Sequence, residues 1–471
     1  MSASATGPTI AHEAKATLGL AAPMMLANIA PNLMSAIALA SLGQVDGTVL
    51  GAGALMFGLF TLCITVAGGL DAATMAFASN AIGARIGAMS RLLSLVRHAV
   101  VASSTFSFAL VVLLQWTEAF FLALGQDPLV AELAGEHMKL LCVALIPFGL
   151  AQVLRSALNA RDKVGQIVVV SLAAMAVQLV LCLMAISIPP DRLSPLLGVS
   201  LATMASSLVL LAGMAWLFMV DGMLGRLNIV SRRWRFDLIE HARFWRVGGP
   251  VVVTLCFEAG LFYAALLLIG RFSVSQLAAH SIAVQVVAMS FKIPFAIGQA
   301  STIRIARAMG RATVGHAVRA GWVGFGLAMA SATVTSTIML TQPFWLASLF
   351  LNTARPGASE ILAEAGILLM CAGVFQFSDA AQAVGAGMLR GLRDVTVPML
   401  MAGAGYWAVG LPSGIAIAYL WNLEALGIWL GLTAGLTTVA IGMIWRWTVL
   451  TRRLERTGIV AAARSAISPQ H

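Results

Sequence analysis

Charge is what this 471-residue chain has least of. Asp, Glu, Lys and Arg make up 10% of it, and hydrophobic residues 60%. A soluble domain carries about 25% charged residues. The shortage excludes an ordinary soluble globular protein. The chain's net charge of +10 would suit a nucleic-acid partner, but the charges fall in short segments between apolar runs. They therefore read as membrane topology, and no nucleic acid is expected. Cysteine is scarce too. The five cysteines (63, 142, 182, 256, 371) sit inside apolar runs and none forms a CxxC pair. Neither a zinc site nor a disulfide framework is indicated, and buried structural thiols are the simple reading. No Walker sequence GxxxxGK[ST] occurs, so direct ATP drive has no support. HExxH, GxSxG and Cys/His clusters are missing as well, which argues against an enzyme and against a bound cofactor. The first seventeen residues are polar, with no h-region or small-residue cleavage site, so no cleaved signal peptide is expected.

What is present is a succession of long apolar runs. Twelve can be counted, roughly 18–41, 52–82, 96–116, 138–154, 165–188, 195–219, 247–270, 277–303, 319–342, 361–389, 396–420 and 425–445. They are continuous and do not alternate, so they predict helices and not a barrel. The expected fold class is an all-α polytopic membrane protein with twelve transmembrane helices. Most of the 29 basic residues lie on one side of this alternation, the exceptions being Lys139, Arg192, Arg271, Lys292 and Arg355. By the positive-inside rule both termini are expected in the cytoplasm and the protein in the cell's inner (plasma) membrane. Asp46 falls in an outer loop, where a solvated charge is the simple reading.

The chain also repeats itself. A shift of 227 residues places Pro23 on Pro250, Gly43 on Gly270, Leu50 on Leu277, Ala52 on Ala279 and Gly83 on Gly310. Six spans per half is an even number, so both repeats enter from the same side. That predicts two pseudo-symmetric six-helix lobes related by an axis along the membrane normal, with substrate handled near the midplane. The expected organisation is an N-terminal lobe over 1–219, a basic cytoplasmic linker over 220–246, a C-terminal lobe over 247–446 and a cytoplasmic tail over 447–471. Arg232, Arg233 and Arg235 in the linker suit contact with anionic lipid.

Polar residues inside the spans are few, and an intramembrane charge is a functional candidate by default. Glu258 is the only charge in Val247–Gly270 and lies eleven residues in, roughly 16 Å along a helix. Asp379 stands eleven residues before Arg390, at a matched depth. Two carboxylates in one lobe can bind a small cation or share protons. Asp71 and Lys292 are also intramembrane, with pairing or structural roles placed first. His280 can titrate near neutral pH or serve in packing. Gln178, Gln376, Asn28 and Asn32 are polar groups available to line a cavity. The 23 methionines and 21 phenylalanines can make an adaptable apolar surface or simply fill the core.

Several stretches resemble one family. FQFSDAAQAVGAGMLRGLRD (375–394) and YWAVGLPSG (406–414) are similar to the tenth- and eleventh-span signature of multidrug and toxic compound extrusion (MATE) transporters, in particular the NorM-like branch. PVVVTLCFEAGLF (250–262) is similar to that branch's seventh span. LAAHSIAVQV (277–286) and IGQASTIRIARAMG (297–310) match its eighth. The first half fits more loosely, through Pro23, Gly43 and NAIGAR (80–85). The resemblance implies secondary active export of cationic organic drugs, by alternating access between two six-helix lobes and driven by sodium or proton influx. It places Glu258 and Asp379 in the cation-binding region, with Na⁺ on these two carboxylates if sodium is the coupling ion. Phe375 stands where the family often has an aromatic hydroxyl. Ala38 stands where the family's first-span acid would be, and Gln178 and Cys182 fall at or near its fifth-span asparagines. The expected partners are therefore small organic cations and the lipid bilayer, with the protein monomeric. A flippase or exporter of an endogenous metabolite or lipid-linked precursor is the alternative within transport. A passive channel is the alternative from another class.

Overall fold

The structure, a computed structural model, describes residues 9–42, 47–84, 87–188, 193–223, 236–351 and 358–467. Twelve helices in it are long and apolar enough to cross a membrane. They are α1 (Ile10–Leu42), α2 (Val49–Gly83), α3 (Ala88–Ala123), α4 (Pro128–Asn159), α5 (Val164–Ser187), α6 (Pro195–Val220), α7 (Leu238–Ile269), α8 (Ser275–Gly310), α9 (Val314–Thr341), α10 (Ala358–Gly391), α11 (Thr396–Leu420) and α12 (Glu424–Thr457). Each of the twelve apolar runs of the sequence falls in one of them. No strand occurs among the described residues. Local chemistry sets several starts. Asp127 caps α4 by accepting from Leu129 N (3.0 Å) and Val130 N (3.2 Å), with Pro128 in the first turn. Ser273 caps α8 by accepting from Gln276 N at 3.1 Å.

The helices are inside out relative to a soluble protein. On α5 the buried side carries Ser171, Ala174, Gln178 and Cys182, while Val169, Leu172, Val180 and Leu183 are exposed. Where lipid covers the outside, apolar side chains gain nothing by turning inward. Small and polar residues make the helix contacts instead. α9 does the same with Ala317, Ala320, Gly321, Gly324, Ala328 and Ala332.

The contacts divide the chain into two units. One runs from Pro23 to Val252, apart from a short stretch at Gly83. The other takes everything from Val253 onward, together with α1 as far as Ala22. Two helices are thus shared. α1 begins in the second unit and joins the first at Pro23, and α7 begins in the first and joins the second after Val252. Pro23 and Pro250, the prolines matched by the 227-residue shift, stand at or next to these changeovers. α7 starts at Leu238, so 238–246 of the expected linker is helix. Linker residues 224–235, including Arg226, Arg232, Arg233 and Arg235, lie outside the described residues, as do Asp46 and Arg355. The helix of α12 runs on to Ile467, so the expected tail from 447 starts as helix.

The repeat extends to single hydrogen bonds. Each unit ends a long helix with the same turn before its fifth span. Lys163 N donates to Leu158 O at 3.1 Å, and Asp394 N donates to Leu389 O at 3.0 Å. Asp162 and Arg393, just before these donors, both have φ of 62°. The six-to-one bond with a left-handed residue is the Schellman arrangement. Each turn is tied to its unit's sixth span with reversed polarity. Lys163 Nζ lies 3.5 Å from Asp221 Oδ1, and Arg446 Nε lies 2.8 Å from Asp394 Oδ2.

Two features anchor the second unit. The start of α1 is held by a buried carboxylate. Both Glu13 oxygens accept from Arg304 on α8, Nη2 to Oε2 at 2.6 Å and Nε to Oε1, and His316 Nε2 on α9 reaches Oε2 at 3.0 Å. Secondly, α8 and α10 touch backbone to backbone. A Cβ on Gly387 would meet Gly298 O at 2.4 Å, and Thr302 Oγ1 donates to Gly387 O at 2.7 Å. Gly387→Ala is therefore expected to lower stability by about 1–3 kcal/mol through overpacking, read as a lower thermal midpoint in detergent. An unchanged midpoint would show that the two helices can separate freely.

Candidate functional site

Four helices of the second unit bring the site together. Gln376 Nε2 on α10 donates to Ser290 Oγ on α8 at 2.6 Å. This joins α10 three residues before Asp379 to α8 two residues before Lys292. Trp407 Nε1 on α11 donates to Phe257 O at 3.3 Å, and the same ring bounds Gly260, whose Cβ would lie 3.0 Å from it. These contacts hold α7 on both sides of Glu258 against α11 beside Tyr406. Phe262 on α7 meets Phe375 edge-on at 6.3 Å between ring centroids, and Phe375 meets Trp429 at 5.9 Å. α11 departs from regular helix here, with a π-helical stretch over Ala404–Gly410. Such bulges are frequent at functional sites. Gly405 and Gly410 let α12 pack close behind it, since a Cβ on either would fall within 3.1 Å of Gly435.

Within this frame Glu258 and Asp379 are electrostatic neighbours, and the Tyr406 ring stands close to both. The Gln382 side chain lies one turn along α10 and faces both Glu258 and Tyr406. Gln382 Oε1 and Tyr406 Oη are both buried with no hydrogen-bond partner among the described residues. Gln382 is 3% exposed, Tyr406 0% and Asp379 3%. Buried polar atoms are normally satisfied, and an orphan requires an explanation such as an absent water or ion. Lys292 and Arg390 are the cations in electrostatic range of Glu258. Among the described residues no group of three or more His, Cys, Asp and Glu side chains is placed so that it could hold a metal ion.

The site is therefore a carboxylate pair with an amide and a phenol beside it and two cations in electrostatic range of Glu258. It can take up a small cation or a proton. Sequence reasoning singled out the pair and Lys292 but passed over three participants. Arg390 stands just past the tenth apolar run, yet it belongs to α10 and is in electrostatic range of Glu258. Gln382 and Tyr406 stood inside the quoted family-like stretches with no role assigned. A Gln one turn after an intramembrane acid was the available signal. The phenol had none, because its direction depends on the π-helical stretch.

The other candidates lie elsewhere. His280 is 2% exposed and accepts from Trp429 Nε1 through Nδ1 at 3.1 Å, which fixes the ring as a packing partner of that indole. Gln376 is engaged with Ser290, and Phe375 is fully buried among aromatic rings. In the first unit, Gln178 uses its amide between α5 and α6. It donates to Thr203 Oγ1 at 3.0 Å and accepts from Ser206 at 2.5 Å. That side chain has little left to offer a cavity. Asp71 on α2 is in electrostatic range of Arg155, which stands just past the fourth apolar run but lies on α4, with the arginine Nε buried and unpartnered. Asn28 is partly buried and engaged by a neighbour. The Asn32 side chain lies outside the described residues. Ala38 is buried at 0%, so the place where the resemblance would put a first-span acid is filled by a methyl group.

Comparison with known proteins agrees with the repeat. The MatE family model matches the chain twice, over residues 23–184 and 250–415. The two matches begin 227 residues apart (250 less 23), the shift read from the prolines. A relative from Mesorhizobium japonicum, named "Probable multidrug resistance protein NorM", is 35% identical over 440 residues, covering 93% of this chain and 94% of its own. A relative of the same name from Brucella suis is 33% identical over 456 residues, covering 96% of each. Among solved structures, a MATE protein in its bent conformation aligns with a TM-score of 0.84 at 18% identity, over 95% of this chain and 97% of that one. At that identity the likeness shows the fold alone. With twelve apolar helices, a doubled family match and relatives aligned along nearly their whole length, this chain is a multi-pass membrane protein that belongs to the MatE family.

Proposed function

We propose that this protein is a secondary active multidrug exporter of the NorM type. It moves organic cations out of the cell in exchange for the influx of Na⁺ or H⁺, by alternating access. The observation that carries this reading is the carboxylate pair of half-buried Glu258 and buried Asp379 in the second unit, with Gln382 and Tyr406 beside it. A coupled switch needs a site whose occupancy favours one conformation over another. A pair of intramembrane acids supplies that difference when one of them gains or loses a positive charge. The names of the relatives support multidrug resistance as the physiological role. The protein is read as lying in the inner membrane with both termini in the cytoplasm, working as a monomer and without enzymatic activity.

The test is dye transport in proteoliposomes. Ethidium movement should follow an imposed cation gradient and stop when an ionophore collapses that gradient. Transport that is indifferent to every gradient would refute secondary coupling. Channel-sized conductance in a planar bilayer would refute alternating access.

A further inference from the structure

We propose that the exposed edge of α12 holds an anionic phospholipid, with Arg452, Arg453 and Arg456 on its phosphate and Trp445 beside its acyl chains. This goes beyond the export reading and does not depend on it. α12 leaves the second unit along one face. Ile441, Trp445 and Val449 are exposed, and Arg452, Arg453 and Arg456 beyond them are exposed too. Steps of four, four, three and four residues join 441, 445, 449, 452 and 456. At 3.6 residues per turn these positions form one stripe, with Arg453 at its edge. The opposite side is used inside the protein, where Met443, Trp447 and Thr451 are buried. The stripe therefore passes from an apolar surface straight into positive charge.

Packing fixes which way this face points. The Trp447 ring lies against Gly321 of α9, where a Cβ would collide with it. Trp322, next to Gly321, is exposed like Trp445 two residues before Trp447. Two exposed indoles thus flank one packing contact, and indoles collect at the edge of a membrane's hydrocarbon layer. Arg446 is already spent, since its Nε lies 2.8 Å from Asp394 Oδ2. No ion pair among the described residues engages Arg452, Arg453 or Arg456. From Arg452 to the end of the helix at Ile467 there are four arginines and one acid, Glu455.

The depth also fits. Arg452 is seven residues past Trp445, about 10 Å along a helix. The headgroup layer is about 5–8 Å thick on each side. Helical side chains lean toward their own N-terminus, which on α12 is back toward Trp445. That brings the guanidinium groups to the level of the phosphates, which they bind with paired N–H donors. The first unit has no such stripe among its described residues. α6 exposes Trp216, Met219 and Val220 and then ends in an acid, Asp221, with Gly222 at φ 70° turning the chain. The site therefore belongs to the second unit.

The experiment adds phosphatidylglycerol or phosphatidylcholine of the same acyl chains to the full-length protein in neutral detergent. Lipid retention is read by native mass spectrometry and stability by the thermal midpoint. Each arginine at an anionic membrane surface strengthens attraction by about fivefold. The wild type should therefore hold phosphatidylglycerol at least about tenfold more tightly than phosphatidylcholine, with a raised midpoint, and the preference should shrink as salt screens it. The triple variant Arg452→Gln, Arg453→Gln, Arg456→Gln should lose the preference. A control with Arg91→Gln, Arg243→Gln and Arg311→Gln removes as many exposed charges elsewhere and should keep it. Trp445→Ala should weaken binding of both lipids. Equal retention of the two lipids by the wild type would overturn the proposal, even if the triple variant does not fold. So would an unchanged preference in a folded triple variant, or an equal loss in the control. Complete displacement of the lipid by millimolar inorganic phosphate would show a free-phosphate site and overturn the assignment to lipid.

Discussion

Asp379→Asn is expected to reduce gradient-driven efflux by about tenfold or more, to the level of empty liposomes, while the protein still inserts and purifies as the wild type does. Asn matches Asp in shape and keeps hydrogen-bonding capacity, so α10 has no packing reason to move. What it lacks is a charge that can be gained and lost. Asp379 is 3% exposed and stands beside Glu258. A coupling ion shifts a conformational equilibrium only by its difference in affinity for the two states. With one acid made permanently neutral, loading the site no longer distinguishes them. Glu258→Gln should have the same effect, and the double variant should be no worse than either single one, because the pair acts as a unit. Normal gradient-driven efflux by Asp379→Asn would sink the assignment of the site. Substrate binding measured by Trp407 or Trp429 fluorescence separates lost coupling from lost cargo affinity.

Glu13→Ala should produce the largest loss of stability. Its carboxylate is 0% exposed and holds Arg304 on α8 through both oxygens and His316 on α9 through one. Removing one partner of a buried pair leaves the other charge without compensation, at a cost of about 3–5 kcal/mol. The low end applies here, because the Arg304 side chain keeps 17% exposure. Thermal unfolding in detergent should show a clearly lowered midpoint. Glu13→Ala combined with Arg304→Met should recover part of the loss, since an apolar replacement of a whole buried pair is often neutral. A double variant less stable than Glu13→Ala would contradict that account. Because α1 up to Ala22 belongs to the second unit, the loss should fall on that unit and not on the Gln178–Ser206 contacts of the first.

Much of the architecture follows from the chain itself. The twelve spans could be counted because lipid requires long apolar runs with satisfied backbones, and that demand is written locally in the sequence. The repeat was legible because proline and glycine are costly to place at random and mark the same helix positions in each half. Glu258, Asp379 and Lys292 stood out for the same reason, as charges where charge is costly. Glu13 was overlooked because it lies in a polar stretch before the first apolar run, where an acid looks solvated. Arg155 and Arg390 fall just outside the counted apolar runs because hydropathy ends a run at the first charge, whereas both belong to helices that continue past it.

The sequence alone thus determined the number of spans, their doubled order and the cost of each buried charge. These depend only on one residue and its neighbours along the chain. Tertiary structure decided which of the charges meet. It set Glu258 beside Asp379, brought Lys292 and Arg390 into electrostatic range of Glu258, buried Tyr406 in a π-helical stretch and left Gln178 locked to Ser206. It also handed the first turns of α1 to the second unit and those of α7 to the first. Those outcomes depend on helix rotation and on close approach at Gly298, Gly387 and Gly405. Packing between helices sets both, and no single stretch of sequence carries them.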